Sequence, residues 1–126
     1  MPTVFSEPMN LGDLLKYEAP NLYSRDVATV ASGQNLTLGT VVGRAPATGK
    51  LSPIDPDAVD SSAEAVGVLA FGIDATTGDR DDALLIARHA IVASHALVWP
   101  AGITPAQKAT AIAELTARGV LVRTSA

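Results

Sequence analysis

The chain has 126 residues, enough for one domain with a substantial core. Its net charge of −4 and its singly scattered basic residues argue against nucleic-acid binding, because phosphate contacts need clustered Lys and Arg. The absence of cysteine excludes disulfides and thiolate metal sites. A hydrophobic content of 48% with only 17% charged residues is unusually apolar for a soluble monomer, which predicts burial of apolar surface against other subunits.

No targeting or membrane segment is expected. Residues 1–10 have neither a basic region nor an apolar run, so they do not resemble a signal peptide. The longest uncharged run, His89–Gln107, is interrupted by Pro100 and Pro105, which is not typical of a membrane span.

The N-terminal part predicts an extended arm, residues 1–31, ahead of a globular domain, residues 32–126. Asn10–Tyr17 favours one or two helical turns, too short to be stable alone. The segment is too apolar for a solvated tail, so we expect it to dock on a partner; a loose terminus is the alternative. The candidate docking residues are Leu11, Leu14, Leu15, Tyr17, Leu22 and Tyr23.

Two strands are predicted next, over Asp26–Ala31 and Leu36–Val42. Gly39, inside the second strand, predicts a bulge or a close approach of another backbone segment. Ala45–Lys50 is then typical of a turn, and Leu51–Asp60, with two prolines, of a loop or irregular edge.

The centre of the fold is predicted from two apolar runs, Ala65–Ile73 and Ala83–Val98. Both are rich in Val, Ile and Leu, and the turn-rich segment Asp74–Asp82 separates them. We expect them to form the central antiparallel pair of a small β-rich domain.

The clearest helix closes the chain, over Ala106–Arg118. Thr104 and Gln107 match a capping box, Pro105 suits the first helical position, and Gly119 suits the residue after the helix. A short strand is predicted after it.

The helix is expected to bury one face, with Ile112 and Leu115 as its anchors, and to expose a face with a Glu114–Arg118 pair at i,i+4. The predicted buried face comprises Ala109, Ile112, Ala113, Leu115 and Thr116. The predicted opposite face comprises Gln107, Ala111, Glu114 and Arg118. More widely, the residues expected in the core or at a subunit contact are Val66, Leu69, Phe71, Trp99, Ile112 and Leu115.

Chemical sites are weakly indicated. Gly43–Lys50 departs from a phosphate loop, because five residues rather than four separate its glycines and Leu51 replaces the metal-binding hydroxyl residue. His89 and His95 would lie about 20 Å apart on a regular strand, too far to share a metal. We therefore predict no catalytic, metal or cofactor site; a casual cation site at the acidic loops around Asp57 and Asp81 stays open as an alternative.

Several motifs together resemble the head decoration proteins of tailed bacteriophages, the family of the lambda protein D. They are Gly49–Leu51 (GKL), Ala65–Ala70 (AVGVLA) and Leu97–Pro100 (LVWP), followed by the closing helix and Val120–Val122. The similarity covers about residues 32–123. The N-terminal part differs from the Ser/Thr/Pro-rich arm of the lambda protein and looks more like the longer members.

The resemblance implies a compact β-clip-like domain, mainly β with some helix (α+β). It implies homotrimers on the outer surface of the expanded phage head, where they bind the major capsid protein through the arm and stabilise the capsid against the pressure of packaged DNA. No catalysis, cofactor, nucleic acid or membrane is implied.

Two other hypotheses remain. The second hypothesis is a generic oligomeric β-rich binding module of a virion or surface assembly. A small hydrolase that uses His89 or His95 with an aspartate has less support, because no serine–histidine–acid arrangement is evident locally.

Overall fold

A computed structural model of the chain describes residues 11–20 and 24–124. Within them lie ten strands, one short and one long helix, and two 3-10 turns. The helices are α1 (Leu11–Leu14) and α2 (Pro105–Ala117), and the 3-10 turns are Ser61–Ala63 and Ser94–Ala96. The strands are β1 (Leu15–Glu18), β2 (Arg25–Val30), β3 (Asn35–Leu36), β4 (Val41–Arg44), β5 (Leu51–Pro53), β6 (Gly67–Leu69), β7 (Ile73–Asp74), β8 (Arg80–Ile86), β9 (Ala90–Ala93) and β10 (Val120–Arg123). The prediction of a mainly β domain that closes with a helix and a strand is confirmed.

A closed five-stranded barrel, in the order β2-β5-β4-β6-β8, forms the centre. The predicted antiparallel pairing of the two apolar runs is confirmed, since Val68 pairs with Ile86 and Leu69 with Leu85. Successive side chains of a strand point to opposite faces. Here Leu69 and Leu85 join one buried cluster while Val68 and Ile86 join another, which explains why both runs are apolar without alternation.

The run Ala83–Val98 is not the single strand that was predicted. β8 ends at Ile86, and a turn with His89 in the left-handed region (φ +48°) redirects the chain into β9. The buried Ser24 holds this turn, because its hydroxyl donates to the His89 carbonyl at 2.8 Å and its own carbonyl accepts the Ala87 N–H at 2.8 Å. β9 therefore leaves the barrel and lies in a second sheet, antiparallel to β1 and parallel to β10.

The ends of α2 follow the prediction. Thr104 and Gln107 form the reciprocal capping box, with Pro105 at the start of the helix. Gly119 follows the helix with φ +87°, and β10 begins directly after it. Both termini are thus set by residues close in sequence.

The predicted buried face of α2 is wrong in part. Leu115 is fully buried as expected, but its buried neighbour is Ala111, which had been assigned to the exposed face. Ile112 is only half-buried, and the other three residues of the predicted buried face, Ala109, Ala113 and Thr116, are exposed. The expected Glu114–Arg118 pair is replaced by longer-range contacts: Glu114 accepts the Ala65 N–H, and Arg118 approaches Glu64.

The predicted arm overlaps the body of the protein. Leu14 is fully buried and packs in the same cluster as Leu115 and Val120, and β2 pairs with β8 along the barrel. Residues 11–20 and 24–30 therefore belong to the globular body. Residues 1–10 lie outside the described part of the chain, and the docking role of the N-terminal part remains a prediction.

Candidate functional site

An apolar groove of about 580 Å³ lies beside the two-stranded ladder of β3 and β7. Its walls come from three separate parts of the sequence. The lining residues are Asn35, Leu36, Thr37, Leu38, Gly72, Ile73, Asp74, Ala96 and Val98. Val98 exposes 42% of its surface there, so the groove offers apolar contact area to a partner.

Backbone hydrogen bonds fix the walls of the apolar groove. The Val98 N–H donates to the Gly39 carbonyl at 2.8 Å, and the Val41 N–H donates to the Val98 carbonyl at 3.2 Å. The buried Thr40 hydroxyl donates to the Thr37 carbonyl at 2.8 Å. These bonds tie the segment before β4 to the segment after the second 3-10 turn, so the groove is a feature of the packed body rather than of a loose loop.

A smaller cavity of about 150 Å³ shares Leu36 and Val98 with the apolar groove and extends to Trp99. Trp99 is half-buried and packs against the core, a common place for a tryptophan with its apolar ring and polar N–H. The Lys108 ammonium lies 6.0 Å from the centre of its ring, at the limit of a cation–π contact.

The six residues predicted for the core or a subunit contact divide by burial. Leu69 and Leu115 are fully buried. Val66, Trp99 and Ile112 are half-buried. Phe71 is 48% exposed, beside the groove residues Gly72 and Ile73. Phe71 is therefore a surface residue rather than a core residue. Its predicted alternative role, a subunit contact, remains a prediction.

The six predicted docking residues also divide. Leu14 is buried, and the half-buried Leu11 and Leu15 pack against the core. Tyr17 is 54% exposed on β1. Leu22 and Tyr23 lie outside the described residues. Of the described members, Tyr17 presents the most surface to a partner.

The chain also matches a known protein family. The family model of the bacteriophage lambda head decoration protein D matches residues 4–120. The chain belongs to this family. No curated protein matches it. Its family makes it a structural protein of the phage head, and the predicted resemblance is confirmed over a longer stretch than the motifs covered.

The acidic loops of this head decoration protein have local structural roles. Asp60 accepts from the backbone and side chain of Ser62, and this hydrogen bonding lowers the pKa of its carboxyl. The side chain of Thr76 lowers the pKa of Asp74 in the same way. Across residues 11–20 and 24–124, no three His, Asp or Glu side chains are grouped as metal ligands.

The two histidines lie in different elements, His89 in the turn before β9 and His95 in the 3-10 turn after it. They do not share one regular strand, so the premise of the predicted 20 Å separation is wrong. No helix in the described ranges has the length and apolar character to span a membrane. Sequence reasoning missed the apolar groove; its local signal was Gly39, which had predicted a close backbone approach.

Proposed function

We propose that this head decoration protein binds the outer surface of the expanded phage head as homotrimers and stabilises the shell against the pressure of packaged DNA. The match of the family model across residues 4–120 carries the proposal. The partner would be the major capsid protein, and the chain would act mechanically, without catalysis or a cofactor.

The distribution of apolar surface supports binding on two sides. Phe71 and Val98 expose 48% and 42% of their surfaces near the apolar groove. Burying apolar surface contributes about 25 cal/mol per Å², so a groove of this kind is a suitable subunit contact for a trimer. Tyr17, on β1, is a separate exposed aromatic side chain.

The second sheet offers a route for docking on the shell. β1 is an edge strand of the order β1-β9-β10, so one side of its backbone is open to further pairing within the described structure. Residues 1–10 lead directly into α1 and β1. We infer that this end of the molecule contacts the capsid protein by strand addition.

Many copies on one closed shell make a modest affinity at each site sufficient. Once two subunits of a trimer are seated, the third binds at a high effective concentration. The net charge of −4 disfavours binding of the protein to DNA, so DNA should not compete with the head for the protein.

Co-sedimentation with expanded empty heads of the parent phage tests the proposal. The full chain is compared with a variant that lacks Met1–Asn10, because this deletion stops before α1 and spares every described element. Circular dichroism and a thermal melt establish that both are folded. Saturable binding of the full chain is expected, with electron microscopy placing trimers on the outside of the head.

Stabilisation has its own measurement. DNA-filled heads are heated with and without saturating protein, and the released DNA is measured. Decorated heads are expected to retain DNA at temperatures at which bare heads release it. If the folded full chain does not bind expanded heads, the proposal is overturned and a generic oligomeric β module becomes the better hypothesis.

A further inference from the structure

Three arginines that are far apart in sequence line one cavity of about 290 Å³, here called the arginine pocket. Arg44 ends β4, Arg88 lies in the turn between β8 and β9, and Arg118 follows α2. The chain has only nine Lys and Arg residues, so the fold gathers a third of them in one place. The basic residues are scattered singly along the chain, so their spacing did not predict this cluster.

The arginine pocket has an excess of positive charge. The described part of the lining contains one carboxylate, Asp26, which pairs with Arg88 at 2.5 Å. Glu64 approaches Arg118 from outside the lining, at 3.4 Å. Among the described residues, three guanidinium groups therefore face two carboxylates, an excess of one positive charge. Arginine stays ionised at all accessible pH values, so this charge cannot be removed by titration.

Two of the guanidinium groups have donors to spare. Arg44 donates once, to the Gly49 carbonyl at 3.0 Å, and forms no ion pair with any described residue. The 3.4 Å contact of Arg118 is long for a hydrogen bond, and its partner Glu64 is half-exposed. A guanidinium carries five N–H donors in a planar fork that matches an oxyanion in two-point contact.

The pocket also has the size of a binding site. The buried Leu85 and Ala87 line it beside the charged side chains. The volume exceeds what a single phosphate or carboxylate group needs, given about 30 Å³ for a water molecule. We propose that the arginine pocket is an oxyanion-binding site, which takes a carboxylate or phosphate group on Arg44 and Arg118.

Phosphate titration of the isolated full chain tests this inference without phage heads, so its result is independent of the proposed function. Sodium phosphate replaces sodium chloride at constant ionic strength, and the arginine side-chain N–H signals are followed by NMR. Saturable shifts of the Arg44 and Arg118 signals are expected. A linear response equal to that given by chloride would overturn the proposal.

Matched variants assign the site. Arg44→Gln and Arg118→Gln are each expected to weaken phosphate binding about tenfold or more, since each removes charge-assisted hydrogen bonds. Arg44→Lys keeps the charge but not the fork and should fall between wild type and Arg44→Gln. Arg80→Gln is the control, because Arg80 is exposed and pairs with Asp82 outside the pocket. Equal weakening by the control would also overturn the site.

The source of the natural oxyanion is settled by a second arm with the same protein. Head binding is measured with the pocket saturated by phosphate at fixed ionic strength. Competition would assign the pocket to a carboxylate of a neighbouring protein in the shell. Unchanged head binding, with saturable phosphate binding retained, would assign it to the free anion. Both results support an oxyanion site and differ only in what fills it.

Discussion

The Ala96 carbonyl oxygen lies where a side chain at Gly39 would have to begin, so a β-carbon at position 39 would clash with it. Gly39 also has φ +90°, a conformation that L side chains rarely adopt. The two residues lie where the segment between β3 and β4 crosses the wall of the apolar groove. The close approach that the sequence predicted at Gly39 is therefore confirmed.

Gly39→Ala is expected to lower the free energy of unfolding by at least about 3 kcal/mol, because backbone strain and a backbone clash act together. Urea denaturation measures the loss. Gly33→Ala is the matched control: Gly33 has φ +88° but no atom within 4 Å of its would-be β-carbon. The control should lose only about 1–2 kcal/mol. Equal losses would show that the crossing at Ala96 is not a tight contact.

The two predicted anchors of α2 should now differ in their contribution to stability. Leu115 is fully buried, so Leu115→Ala should cost about 2–5 kcal/mol by removing packed atoms and leaving a cavity. Ile112 is half-buried, so Ile112→Ala should lower the free energy of unfolding by only about 1 kcal/mol. Chemical denaturation of the two variants measures both. A cost at Ile112 as large as that at Leu115 would contradict the helix orientation described above.

Local signals predicted the ends of the elements better than their faces. Thr104 and Gln107 specify the start of α2 because their hydrogen bonds reach only three residues. The buried face was misassigned because alanines occupy both sides of the helix, so spacing alone could not distinguish Ala111 from Ala113. Packing against residues distant in sequence made that choice.

Long-range contacts also account for what the sequence could not reveal of the strands and the sites. The break at His89 depends on a hydrogen bond from Ser24, which is 65 residues away. The apolar groove joins Leu36 to Val98, and the arginine pocket joins Arg44 to Arg118. The residues of each site carry no shared motif, so only the fold brings them together.

An ion pair between β1 and β2 should make stability depend on pH. Arg25 donates two hydrogen bonds to Glu18, at 2.7 and 2.6 Å, and this hydrogen bonding lowers the pKa of the Glu18 carboxyl. A lowered folded-state pKa stabilises the protein fully above the unfolded pKa of about 4.3, and the stabilisation is lost as the pH falls through the lowered value. Glu18→Gln should therefore cost about 1 kcal/mol at pH 7.

The cost of Glu18→Gln should shrink as unfolding is measured at successively lower pH below about 4, because the wild-type carboxyl then becomes protonated as well. Asp82→Asn is the control, since Asp82 and Arg80 form an exposed pair that contributes little. A cost for Glu18→Gln that stays constant from pH 7 to pH 3 would show that the ionised pair is not its cause.

Tyr17 should be the most sensitive single position for head binding among the described docking residues. It is 54% exposed on an edge strand, whereas Leu14 of the same predicted set is buried and serves the core. Aromatic side chains of this kind dominate many protein interfaces, so Tyr17→Ser is expected to weaken binding to expanded heads about tenfold. The thermal midpoint should change little, because about half of the Tyr17 surface is already exposed in the folded protein.

Val27→Ser is the matched control for Tyr17→Ser. Val27 is 69% exposed but lies on β2, a barrel strand that pairs with β8 rather than on the open edge of the second sheet. If any loss of exposed apolar surface weakens head binding, both variants should bind more weakly than wild type. If the capsid contact lies at the β1 edge, only Tyr17→Ser should bind more weakly. Co-sedimentation with heads of the parent phage measures the affinities. If wild type and Tyr17→Ser bind with equal affinity, the capsid contact does not lie at β1, and the apolar groove becomes the favoured location.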